Sequence, residues 1–224
     1  MFPTVTFATS VWERDWRAVL LDSDYLRKMI DHHDFPFFER LLVINNVNDV
    51  EEVKKAAKGL FTRYVVANGL PPFSQLRRED FTDWQYYNAL GPLTAIGEAK
   101  GEYLLFVTGD VYLKKKVNWI PKALKALSGK KKVANLIWND NRAEAKKESY
   151  RQTWNFFVSK EGFSDQMFLI RRADFLAPIY SEIREDAAHF PRGDVWEKRV
   201  FSYMKNHDWE RITFKGGSYT HENI

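Results

Sequence analysis

The chain has no cysteine. That excludes disulfides and thiolate metal sites, and it fits a reducing compartment. No uninterrupted apolar run approaches the ~20 residues that a membrane-crossing helix needs. The opening, Met1-Phe-Pro-Thr-Val-Thr-Phe7, lacks the basic stretch and long apolar segment of a secretory leader. Zinc-finger spacing, an RNP-like aromatic motif and a basic zipper are all missing, so nucleic acid is not an expected partner. No repeat or low-complexity linker divides the chain. Together these absences lead to an expectation of a cytoplasmic protein, soluble or peripheral to a membrane.

What is present is an ordinary globular composition with a heavy aromatic load. The 224 residues are 45% hydrophobic and 29% charged, and they include 8 Trp, 10 Tyr and 17 Phe. That length suits one domain with a sizeable core. Most of the aromatics belong in that core, and a few suit stacking on bases or sugars. The formal net charge is +4. Lysines gather in Lys114-Lys-Lys116 and Lys130-Lys-Lys132, with Lys122 and Lys125 between them. They form either a solvated helix surface or a basic face for anionic headgroups.

Along the chain, apolar runs alternate with helical patterns. Strands are expected over Thr4–Thr9, Leu41–Ile44, Arg63–Ala67, Tyr103–Val107 and Val133–Trp138. Helices are expected over Trp16–Leu21, Tyr25–His33 and Trp84–Ala99, the last with a break or restart at Gly91-Pro92. Further helices are expected from an Asp49 cap to Gly59 and after Pro121. This order predicts an α/β fold with a mostly parallel sheet flanked by helices.

The densest signal is Gly101-Glu-Tyr-Leu-Leu-Phe-Val-Thr-Gly-Asp110. A doubly buried strand ends in a Thr108-Gly109 turn and then places the Asp110 carboxylate just past its carboxyl end. Ligands of open α/β sheets bind at that edge. A hard anion beside a glycine suits Mg2+ or Mn2+, which in turn would neutralise a diphosphate. The other reading of Asp110 is a turn cap.

The longer segment Asn88-Ala-Leu-Gly-Pro-Leu-Thr-Ala-Ile-Gly-Glu-Ala-Lys-Gly101 through Asp110 resembles the core of GT-A glycosyltransferases, family 2 above all. There a helix leads into a strand that ends in a DxD metal motif. Thr108 stands where the first Asp is expected, so only Asp110 carries over. The resemblance implies a single GT-A domain over 1–224. Residues 1–113 would bind a nucleotide-sugar, most simply a UDP-sugar, and 114–224 would supply acceptor binding and catalysis.

By the same resemblance, Thr9 and Glu13 lie in the loop around base and ribose. Asn45 takes the place of a base-contacting Asp, and an amide can still pair with a uracil-like edge. Asp165 and Gln166 precede an apolar run at the acceptor-side loop, where they bind sugar hydroxyls or cap the strand. Trp154 and Trp138 are either an acceptor platform or core. Gly193-Asp194-Val-Trp-Glu197 is similar to the segment that carries the general base, which makes Asp194 the base and Glu197 the next choice. The acidic pair Glu185-Asp186 lacks that downstream pattern. His221, after Gly216-Gly217, matches a late histidine that joins the metal. The remaining histidines, His32, His33, His189 and His207, show no ligand spacing. The implied reaction transfers a sugar, with inversion, to a hydroxyl of a glycan or glycolipid. The alternatives are a noncatalytic glycan- or partner-binding domain and, further off, a sugar nucleotidyltransferase.

Overall fold

The computed structural model describes residues 3–21, 24–160, 162–189 and 195–221. The strands are β1 (Val5–Val11), β2 (Glu39–Asn45), β3 (Arg63–Ala67), β4 (Tyr103–Val107), β5 (Val111–Tyr112), β6 (Lys131–Trp138), β7 (Arg151–Gln152), β8 (Phe156–Ser159), β9 (Met167–Arg171) and β10 (Glu210–His221). The helices are α1 (Trp16–Leu20), α2 (Tyr25–Asp31), α3 (Val50–Ala56), α4 (Asp83–Glu98), α5 (Ile120–Ala126), α6 (Arg142–Lys147), α7 (Arg172–Phe175) and α8 (Val195–Asn206).

One sheet runs through both halves of the chain in the order β3-β2-β1-β4-β9-β6-β10-β8-β7, and β5 pairs with β10 at its side. Strands β3, β2, β1 and β4 are mutually parallel, as are β6 and β10. Strand β9 runs antiparallel between β4 and β6, and β8 runs antiparallel to β10. The mixed α/β sheet flanked by helices is the expected architecture. Period-2 alternation splits its core into two layers. Val5, Phe7, Val11, Leu42, Ile44 and Leu105 face α1, α2, α3 and α5. Ala8, Leu41, Val43, Leu104 and Phe106 face α4 and α8.

Local signals account for several boundaries. Asp49 caps α3 by accepting from the Glu52 amide at 2.9 Å. Thr82 and Gln85 form a capping box at the start of α4. The break expected at Gly91-Pro92 does not occur, because α4 continues through both residues. The glycine serves packing instead. A Cβ at Gly91 would lie 2.6 Å from Ser10 Oγ, so its absence lets α4 settle on β1. Burial of this stretch between sheet and loop holds the helix despite the amide that Pro92 lacks.

The lysine clusters do not make one face. Lys114 lies 3.7 Å from Asp140, just past the end of β6. Lys130–Lys132 open β6, whose 8 residues put about 25 Å between the two clusters. Lys130 and Lys132 are moreover paired with Asp208 and Asp174. Among the described residues no helix is long and apolar enough to cross a membrane.

Candidate functional site

Strands β1, β2, β4, β6 and β10 deliver their carboxyl ends to one edge of the sheet. Asp110 sits there, just beyond β4. Gly109 makes the approach possible, since a Cβ at this position would meet the Ser10 carbonyl at 3.0 Å. Strand β5 then clasps the end of β10, pairing Val111 with His221. The clasp brings His221 Nε2 within 2.8 Å of Asp110 Oδ2. Burial opposes the Asp110 charge, but hydrogen bonds from His221 and Thr108 outweigh it and hold the carboxyl below its usual range. The bond to Asp110 raises the imidazole of His221 above its ordinary value.

Two further carboxylates sense Asp110. Burial, helped by the Asp110 charge, pushes Asp15 up to about 6, even though its Oδ1 accepts from the Trp12 amide at 2.7 Å. Asp165 is also pushed up to about 6, by burial first and then by Asp110. Its loop docks on the site through the Thr108 amide, which donates to Gln166 O at 2.9 Å. The Asp165 amide donates to Glu197 Oε1 at 3.1 Å, and Glu197 is buried in α8. Thus Asp110, Asp165, Gln166, Glu197 and His221 gather in one place, although they come from four separate stretches of sequence.

Beside Asp165 opens a cavity of about 330 Å³, bounded by β6, β10, α6 and α8 and lined by Asn135, Asp165, Gln166, Glu197, Arg211 and Tyr219 among others. Thr213 Oγ1 donates to Asn135 Oδ1 at 2.8 Å, and Arg211 pairs with Glu148 at 2.6 Å. Apart from Arg211, the charged residues lining the cavity are acids. Such a wall accepts hydrogen bonds from hydroxyls.

The remaining expected positions lie toward β1 and β2. Asn45 ends β2 on the α4 face, where its Nδ2 donates to the Tyr87 carbonyl at 2.7 Å and its buried Oδ1 has no partner. Trp12 and Tyr87 stack edge-to-face next to it, with centroids 6.1 Å apart. Thr9 is fully buried and shares the opposite face of β1 with Phe7 and Val11, so it does not converge with Asn45. Glu13 ties two loops together: its Oε2 accepts from the Asn48 amide at 2.8 Å, and Oε1 meets Arg17 at 3.4 Å. Asp194 lies outside the described residues. Trp138 lines the cavity, whereas Trp154 stands clear of it and is 93% exposed. Asp15, Arg211 and Tyr219 went unrecognised in the sequence. Asp15 precedes a helix and reads as its cap, and Arg211 and Tyr219 sit in an ordinary strand pattern.

An octahedral ion with bonds of about 2.1 Å sets neighbouring ligand atoms about 3 Å apart. The 2.8 Å between Asp110 Oδ2 and His221 Nε2 matches that spacing. Among the described residues no group of three or more such side chains is placed to hold a metal ion. Asp110 and His221 could hold such an ion only as two of its ligands, the others coming from a bound substrate and water.

No protein-family model matches the sequence, and no curated protein matches it. Solved structures do. The mannosyltransferase PcManGT from Pyrobaculum calidifontis, solved with GDP-Man and Mn2+, superposes with a TM-score of 0.61 at 14% identity, over 99% of this chain and 57% of its own. The protein has a GT-A fold. GalNAc-T7, solved with UDP, GalNAc and Mn2+, gives 0.61 at 13% identity over 98% of this chain and 44% of its own. TarS 1–349 from S. aureus, in complex with UDP-GlcNAc, gives 0.52 at 12% identity over 99% and 59%. The chain therefore spans about half the length of these glycosyltransferases, and at such identity the likeness speaks for the fold alone.

Proposed function

We propose that the protein is a glycosyltransferase that moves a sugar from a nucleoside-diphosphate donor to a hydroxyl of a glycan or glycolipid, with Mn2+ or Mg2+ as cofactor. The observation that carries this reading is the Asp110–His221 pair, 2.8 Å apart at the carboxyl edge of a GT-A sheet and next to the cavity that Asp165, Gln166 and Glu197 line. Asp110 and His221 would hold the ion, which when bound stabilises charge on the departing diphosphate. Asn45 supports a base with an N–H on its edge, because Nδ2 is committed to Tyr87 and Oδ1 is left to accept. Uracil and guanine carry such a group, and a UDP-sugar is the donor proposed. Glu13, whose Oε2 accepts from the Asn48 amide, shapes the loops around it, whereas Thr9, buried on the other face of β1, does not reach it.

The acceptor occupies the cavity, held by Asp165 and Gln166. Its hydroxyl gives its proton to a carboxylate on the face opposite the diphosphate, which inverts the anomeric centre. Asp194 is the base proposed, and Glu197, which lines the cavity, is the next choice. The absence of a three-residue metal group among the described residues favours a second reading, a binding domain that has lost catalysis.

A thermal-shift series with UDP, GDP and their sugars, with and without Mn2+, decides between the two. Ligand bound only by the folded state raises the melting temperature. A Mn2+-dependent rise with UDP that disappears in Asp110→Ala is the expected result. Folded protein that responds to an oligosaccharide but to no nucleotide would establish the second reading.

A further inference from the structure

One exposed surface lies apart from the Asp110–His221 pair. Strands β7 and β8 form a hairpin at the outer edge of the sheet, and its tip carries Trp154, 93% exposed. The turn that carries it is braced. The Thr153 amide donates to the Phe156 carbonyl at 2.8 Å, and the Phe156 amide returns a bond to Thr153 Oγ1 at 3.1 Å. Lys215 Nζ donates to the Thr153 carbonyl at 2.7 Å. A braced turn therefore holds the indole out in water.

Around the hairpin cations outnumber acids: Arg142, Lys146, Lys147 and Lys215 stand against Glu144 and Glu148. Arg142 and Lys215 both lie over the ring of Phe157, on the second residue of β8. Lys146 and Lys147 are exposed at the end of α6. Among the described residues no salt bridge engages any of these four cations. The nearby acids are occupied: Glu144 accepts from Asn141, and Glu148 pairs with Arg211. An exposed indole on the same side of the molecule as Lys and Arg free of salt bridges complements a bilayer interface, where the ring sits among headgroups and the cations meet anionic lipid.

We propose that the β7–β8 hairpin and the outer side of α6 dock the protein on an anionic membrane surface, with Trp154 as the inserted residue. The inner side of α6, through Glu144 and Ala145, lines the cavity beside Asp165. Docking in this way would set that cavity close to the headgroups, so on the reading of the cavity as an acceptor site a lipid-linked acceptor would reach it without leaving the bilayer.

The test is co-sedimentation with vesicles of phosphatidylcholine alone and of equimolar phosphatidylcholine and phosphatidylglycerol. Wild type is expected to bind the mixed vesicles and to lose that binding as salt rises. Trp154→Ala and the double variant Lys146→Glu, Lys147→Glu should each weaken it by about tenfold or more. Both changes lie on the surface, and an unchanged melting temperature confirms that the variants fold. A double variant at the distant cluster, Lys115→Glu and Lys116→Glu, should bind like wild type. Failure of wild type to bind, equal binding by Trp154→Ala, or loss only at Lys115 and Lys116 would overturn the proposal. So would a Trp154-dependent fluorescence change with a neutral oligosaccharide in place of vesicles. None of these results depends on nucleotide binding, so the docking surface and the proposed reaction stand or fall separately.

Discussion

The half of the chain that ends at β4 and the half that begins at β5 are built by different rules. In the first, β1 pairs in parallel with β2 and β4, helices intervene, and each apolar run is one strand. Two of these strands, Arg63–Ala67 and Tyr103–Val107, have the bounds that periodicity and turn residues suggest. In the second half, β9 inserts antiparallel between β4 and β6, and β10 extends over 12 residues with an irregularity between Phe214 and Ser218. Short crossovers leave a local signature, whereas an inserted antiparallel strand takes its place from partners far away in the chain. Each half brings part of the candidate site, Asp110 following the last strand of the first and His221 closing β10 of the second, 2.8 Å apart.

Acid should separate the halves most strongly. His33 is buried near Phe7, Phe37 and Trp119, and Trp119 Nε1 donates to its Nδ1 at 3.0 Å. Burial lowers its pKa to about 3. Its contribution is therefore complete above the unfolded value near 6.5 and is lost as pH falls from 6.5 toward 3, by about 1.4 kcal/mol per pH unit. Asp165, raised to about 6, has the opposite sign, since its cost is present above 6 and is relieved as pH falls toward 3.8. Denaturation across pH should show the first slope vanish in His33→Asn and the second in Asp165→Asn. If both variants track wild type, these side chains do not titrate as their surroundings dictate.

A smaller effect should distinguish the halves by function. Asp110→Ala should weaken donor binding in Mn2+ by about 100-fold or more, since even groups that only support a metal's ligands are worth about 10–100-fold. Glu197→Gln keeps an acceptor for the Asp165 amide, so it should leave donor affinity alone and lower transfer by about tenfold or more. Calorimetry with UDP beside a transfer assay reads both numbers. Parallel losses in the two variants would mean that the halves do not divide the labour.

The smallest effect concerns packing within the first half. Gly91→Ala drives a Cβ into Ser10 and should cost about 1–3 kcal/mol, visible as a lower melting temperature. An unchanged melting temperature would show that α4 can lift from β1 freely.

The sequence by itself determined the alternation of strands and helices, the Asp49 cap, and the placing of Asp110 just beyond a buried strand. Each rests on neighbours within a few residues, where periodicity and turn chemistry act. It also misled locally: Gly91-Pro92 reads as a helix break until the Ser10 side chain opposite is seen. Only the tertiary structure decided that His221 meets Asp110, that Asp15 and Asp165 gather around that carboxylate, and that Thr9 and Asn45 fall on opposite faces. It alone decided which tryptophans are core, burying Trp16, Trp119 and Trp196 and leaving Trp154 in water. The physical reason is the same in each case. Side-chain spacing says which face a residue occupies, while its charge state, its partner and its exposure depend on what the rest of the chain lays against that face.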